Sequence, residues 1–195
     1  IEHNFIVVAP KISQENFSGG DGYNLGNVFE DGDNPSDATI NPEEEWSFSI
    51  IEPLFDQIIA SSETNVNSYH IVGFSAGAQF VHRFMFFKPN ARYDKIVASG
   101  AGWYTVMDNN ISFPYGFKNS PLTNNSIQGL LNNSLHVQVG SLDNDPNAPG
   151  LRHNVYADAQ GLHRLARGIH FFDRAQSIAQ NNSYNINWTF SIVNG

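Results

Sequence analysis

The sequence predicts an α/β protein built on a doubly wound, mostly parallel sheet. Three observations point there. Short apolar runs at residues 5–9, 69–72, 95–99, 135–139 and 186–193 read as strands. Segments with apolar residues at helical spacing lie between several of them, at 46–60, 78–87 and about 156–181. Strands therefore alternate with helices rather than following one another in hairpins, which calls for parallel pairing with helices on both faces. No internal repeat or second domain is visible, so residues 1–195 are expected to form a single domain.

Composition narrows the classes. A chain of 195 residues, 41% hydrophobic and 13% aromatic, can bury a real core and is not a disordered segment. The formal net charge of −9 leaves no basic patch to displace counterions, which argues against nucleic acid and against an anionic membrane surface as partners. With no cysteine, disulfides, thiolate zinc sites and cysteine nucleophiles are excluded. No apolar run approaches the roughly 20 residues of a membrane helix.

In order, residues 5–9 (F-I-V-V-A) are a continuous apolar run closed by Pro10, the pattern of a buried parallel strand. Residues 11–41 are polar, rich in Gly, Asn and Asp, and without period. They read as a long loop of the kind that often carries function. Within it, residues 30–37 have the acid density of a calcium loop. Pro35 stands where a ligand belongs and the closing glutamate is out of register, so a solvated acidic loop is expected and no metal site is assigned. Asn41-Pro42 followed by Glu43, Glu44 and Glu45 is a helix start. Apolar residues then recur to Ala60, with Trp46 and Phe55 expected in the core and a kink or break expected at Pro53. The irregular stretch 103–125 carries Trp103, Tyr104, Phe113, Tyr115 and Phe117. Aromatics on a loop at the carboxyl end of a parallel strand either line a substrate cleft or pack the loop onto the sheet. Trp103 and Tyr104, nearest the strand end, are the candidate substrate-binding residues.

The stretch that organises the chain is 69–87, Y-H-I-V-G-F-S-A-G-A-Q-F-V-H-R-F-M-F-F. An apolar run, then G-F-S-A-G, then a run free of Gly and Pro is strand, turn and helix. In that context G-x-S-x-G is the signature of a nucleophile elbow. A serine at such a turn is held in a strained conformation with its Oγ projecting from the sheet edge. Gly73 and Gly77 leave room for the neighbouring strand and helix. The helix N-terminus beneath Ser75 favours developing negative charge, and the Ala76 N–H is the natural oxyanion donor. The bland alternative is an ordinary Gly-rich turn.

A serine nucleophile needs a base, itself oriented by a carboxylate, and in elbow-type enzymes the chain order is Ser, then Asp or Glu, then His. Asp143, three residues after Gly140 at the end of a strand, is the expected acid. Asp145, before Pro146, suits a turn better. Of seven histidines, His70 and His136 begin strands, about 17 Å from a strand's far end. His82 lies about 10 Å along the helix from Ser75. His3 precedes the first strand and breaks the order. His163 and His170 read as residues of the long helix. His153, on the loop after Asp143, is the remaining candidate base.

The stretches G-F-S-A-G-A-Q-F-V-H-R-F and G-S-L-D, with F-I-V-V-A-P, G-Y-N-L-G-N, A-G-W-Y, F-P-Y-G and Q-G-L-H-R-L-A-R-G, resemble the α/β-hydrolase superfamily. More narrowly they resemble bacterial and archaeal esterases and poly(3-hydroxyalkanoate) depolymerases. The resemblance covers nearly the whole chain. It implies a serine hydrolase of carboxylic esters with Ser75 as nucleophile, Asp143 as triad acid and Ala76 as one oxyanion donor. It also implies no cofactor, a small or polymeric ester as substrate, and a secreted or periplasmic setting. Two family features are missing from the 195 residues: the His-Gly turn that supplies the second oxyanion N–H, and the turn after the last strand that supplies the histidine. The expectation is thus an internal piece of a longer hydrolase, spanning the family's strands four to eight. A non-catalytic binding module that keeps the fold without the base is the competing reading.

Overall fold

A computed structural model describes residues 5–62 and 64–195. Its centre is a four-stranded, wholly parallel sheet in the order β1-β2-β3-β4: Tyr69–Phe74, Tyr93–Ser99, Leu135–Gly140 and Thr189–Val193. Among the described residues six α-helices accompany it: α1 (Gly19–Gly22), α2 (Ile51–Ser62), α3 (Ala76–Phe87), α4 (Ile127–Asn132), α5 (Val155–Gln160) and α6 (Arg164–Asn182). None is long and apolar enough to cross a membrane.

The alternation of β1 and β3 shows where the core sits. Ile71, Gly73, Leu135, Val137 and Val139 turn to the helices, whereas Val72 and Phe74 on the opposite face are 69% and 74% exposed. Helix α3 packs on β1 and β2, and α6 on β3. The two helices meet through Phe171, whose ring lies 5.5 Å from His82 and 6.5 Å from Phe86. Phe80, Phe84, Phe86 and Met85 make α3 a buried helix. Its amino end abuts the loop at Tyr23 (stacked on Phe80, 5.4 Å) and its carboxyl end the ring of Trp46 (against Phe87, 5.4 Å). Trp46 and Phe55 lie in the core as expected. On the open face, His136 bridges to β4 through the hydroxyls of Thr189 (2.8 Å) and Ser191 (2.9 Å).

Four expectations change. Residues 5–9 are not part of the sheet, and Ile6 and Val7 are 59% and 88% exposed. An apolar run is buried as a strand only where a neighbouring strand offers its edge, and the sheet begins at β1. Pro53 does not kink a helix. Residues 43–50 form two 3₁₀ turns, and Pro53 falls in the first turn of α2, where its missing N–H would have no acceptor anyway. The long helix over 156–181 is two helices parted at Gly161, whose φ of 140° breaks the ladder. His163, expected on the helix, instead caps α6, accepting from Ala166 N–H at 3.2 Å. Within 30–37, the Asp31 carboxylate closes its own turn on the N–H groups of Asp33 (3.0 Å) and Asn34 (3.2 Å).

Candidate active site

Ser75 stands between β1 and α3 with φ 54° and ψ −112°. A non-glycine residue in such a region costs on the order of 1–3 kcal/mol, so its surroundings must hold it. They do: Ser75 N–H donates to the Ser99 carbonyl at 2.9 Å, and the Ser75 carbonyl accepts from Gln79 N–H at 3.1 Å. The turn is tight at Gly73, where a β-carbon would lie 2.1 Å from the Gly77 oxygen and 2.7 Å from the Ala78 nitrogen. Gly77 differs. A β-carbon there would meet only the Tyr23 hydroxyl, at 3.4 Å, so it spaces a loop side chain rather than the strand. Ala76 opens α3, and its N–H has no acceptor within the helix.

Parallel pairing brings the carboxyl ends of β1, β2 and β3 to one edge. Gly100, at φ 62°, ends β2. A β-carbon on it would lie 3.2 Å from the Phe74 ring and 3.8 Å from Asp143 Oδ2. Asp143 therefore presents its carboxylate at the edge that carries Ser75, with Arg164 Nη1 3.6 Å from Oδ1. Its carbonyl accepts from Leu165 N–H at 3.0 Å, fastening this loop to the start of α6. Asp145 serves its own turn, accepting from Asn147 N–H at 2.8 Å.

Among the described residues no histidine is hydrogen-bonded to Ser75; His3 lies outside them. His153 sets Nδ1 2.8 Å from Asp158 Oδ1 and Nε2 2.8 Å from the Pro146 carbonyl. His82 is fully buried, with Nδ1–H donating to the Ala78 carbonyl (2.8 Å) and Nε2 accepting from Thr105 N–H (3.1 Å). Burial, and then the Arg83 charge, hold it well below the ordinary histidine range, so it is neutral and pins the loop after β2. His170, half-buried on α6, is lowered by burial and by Arg174.

The two candidate aromatics part company. Tyr104 is fully buried, its ring stacked on Phe171 at 4.4 Å. Gln160 clamps its main chain from both sides, accepting from its N–H (2.9 Å) and donating to its carbonyl (2.7 Å), so the ring turns inward and lines no cleft. Trp103 lies between the guanidinium groups of Arg83 (4.2 Å) and Arg152 (5.3 Å) and lines a cleft of about 360 Å³. Asp21, Asn24, Asp33, Gln79 and Arg152 share its wall. Gln79, in that wall, is one turn along α3 from Ser75, a rise of about 6 Å.

Two buried arginines frame this cleft. Arg83 donates to Thr105 Oγ1 (2.8 Å) and to the carbonyls of Asn24 (3.0 Å) and Gln79 (3.1 Å). Burial lowers its pKa to about 9. Arg167 donates to the carbonyls of Gly161 and Gly102 (2.7 Å each) and Arg152 (2.8 Å), and pairs with Asp158 at 3.0 Å. Asp21 is raised by burial and by the neighbouring Asp33 and Asp31. Sequence reasoning misses Asp21, Gln79, Arg83, Arg152 and Arg167. The only available signals were the length of the loop at 11–41 and two arginines among apolar helix positions.

No family model matches the chain, and no curated protein does. Solved structures do. Poly(aspartic acid) hydrolase-1 from Sphingomonas sp. KT-1 is 37% identical, with a TM-score of 0.85, over 94% of this chain and 67% of its own. The poly(3-hydroxybutyrate) depolymerase LpqC from Bordetella parapertussis is 28% identical, with a TM-score of 0.82, over 94% of this chain and 60% of its own. The chain thus spans about two thirds or less of these proteins. With a parallel sheet flanked by helices, and more than a third of its residues shared over nearly its whole length, the chain belongs to the α/β-hydrolase family.

Proposed function

We propose that this chain carries the nucleophile of a serine hydrolase that cleaves carboxylic esters through an acyl-enzyme on Ser75. The observation that carries the reading is the Ser75 backbone: a non-glycine residue at φ 54° and ψ −112°, held between a parallel strand and a helix N-terminus as a nucleophile elbow requires. Ser75 Oγ attacks the ester carbonyl while its proton passes to a histidine oriented by Asp143. The Ala76 N–H holds the oxyanion. Collapse expels the alcohol with that proton, and water then releases the acid by the same route. His153 is the candidate base; to serve, its ring must leave Asp158 and Pro146. No cofactor takes part in these steps. The similar proteins hydrolyse poly(aspartic acid) and depolymerise poly(3-hydroxybutyrate) according to their names, which supports hydrolysis and a chain-like substrate.

The engagement of both His153 ring nitrogens favours a second reading, a binding module with the fold but without the base. Labelling of the full-length protein with a fluorophosphonate separates the two. An adduct on Ser75 is expected. A folded protein that forms none is a binding module.

A further inference from the structure

Tyr23, in the loop over 11–41, lies along the first turns of α3 and points toward the end that carries Ser75. Its ring stacks on Phe80, with centroids 5.4 Å apart and planes 22° apart. Its hydroxyl lies 3.4 Å from where a β-carbon on Gly77 would be. Residues three apart share one helix face, so the side chain runs along the face of Phe80 and Gly77 toward the helix amino end. Ser75 stands two residues before Gly77. Among the described residues the Tyr23 hydroxyl has no hydrogen-bond partner. Arg83 fixes the arrangement. Its Nη1 donates to the carbonyls of Asn24 (3.0 Å) and Gln79 (3.1 Å), the residues next to Tyr23 and Phe80. Asn24 Nδ2 also donates to Gln79 Oε1 at 3.4 Å. A buried guanidinium, with no carboxylate partner among the described residues, thus clamps the two backbones that carry the stacked rings.

We propose that the Tyr23 hydroxyl is a catalytic hydrogen-bond donor to the oxyanion that forms when Ser75 attacks, acting beside the Ala76 N–H. The proposal rests on the Ser75 reading above and adds a residue to it. As Oγ bonds to the ester carbon, the carbonyl π pair moves onto its oxygen, which gathers negative charge at the amino end of α3. Tyr23 keeps its proton and donates a hydrogen bond to that oxygen. When the intermediate collapses, the pair returns to the carbonyl, the alcohol leaves, and the hydroxyl is free again. Such a donor must be in place before the charge develops, and the Phe80 stack with the Arg83 clamp places it. Burial raises the Tyr23 phenol above its ordinary value, so the group is an O–H donor at neutral pH. A residue that only packed on Phe80 would need no hydroxyl. Phenylalanine fills the same stack without placing an unpaired O–H in a half-buried position.

The test uses the full-length protein with p-nitrophenyl acetate. Tyr23→Phe keeps the stacked ring and is expected to lower kcat at least about tenfold, with KM within about twofold of the parent. A trifluoromethyl ketone, whose adduct on a serine carries the same oxyanion, gives the second readout. Its Ki should rise by about the factor by which kcat/KM falls. Unchanged kcat overturns the proposal. So does a rise in KM alone, which would place the hydroxyl on the ester before reaction. A fall in kcat with no rise in Ki assigns the loss to packing and overturns it as well. Fluorophosphonate labelling of the parent separates this proposal from the reading beneath it. If the parent labels on Ser75 and Tyr23→Phe is as active as the parent, the serine stands and the tyrosine falls. If the parent neither labels nor turns over the ester, both fall.

Discussion

Gly73 rests against the backbone of Gly77: a β-carbon on the first would sit 2.1 Å from the carbonyl oxygen of the second. Strand and helix thus meet main chain to main chain on either side of Ser75. Main-chain atoms in a strand and in a helix cannot swing aside as a side chain can, so the serine is set by the two most rigid elements nearby.

The two glycines should therefore respond differently to a methyl group. Gly73→Ala forces strand and helix apart and is expected to cost about 2–3 kcal/mol. Gly77→Ala meets only the Tyr23 hydroxyl and gains helix propensity, so it should stay within about 1 kcal/mol of the parent. Urea denaturation of both variants checks this. Equal stabilities would mean that the close approach is absent in solution.

Strain and chemistry can be separated at Ser75. Ser75→Gly relieves the positive φ, and after allowing for the freer unfolded chain it should raise stability by about 1 kcal/mol while abolishing fluorophosphonate labelling. Ser75→Ala keeps the strain, so its stability should match the parent while ester turnover falls by at least ~10³. Turnover above a tenth of the parent in either variant removes Ser75 as nucleophile.

Asp143→Asn should lower kcat by about 10⁴, because an amide favours the wrong histidine tautomer. Asp145→Asn touches only a turn and should lower it far less. The kinetics of the two variants side by side decide the assignment, and the reverse ranking would make Asp145 the acid.

His82 sets a pH dependence of stability. Its folded pKa lies well below its unfolded value near 6.5, so the unfolded chain takes up a proton that the folded one refuses. Its contribution is intact above about pH 6.5 and declines as pH falls below it. Denaturation at pH 7 and pH 5 should show that the parent loses more stability than His82→Gln does. Equal losses would place a protonated imidazole in the core.

The stretch 69–87 is legible in the sequence because strand, turn and helix there are each local patterns, and Asp143 is legible because it follows a strand end. The break at Gly161 is not, because the apolar spacing runs on across it and only the backbone shows a φ of 140°. Pro53 is misread for a related reason. Periodicity does not distinguish 3₁₀ turns leading into a helix from the helix itself.

By itself the sequence determined the α/β class and the place of Ser75, since both depend on periodicity and on the conformational needs of a few adjacent residues. Only the tertiary structure decided that Tyr104 faces the core, through Gln160 56 residues away. It also decided that Arg83 ties α3 to Asn24 across 59 residues, and that Arg152 meets Asp33 across 119.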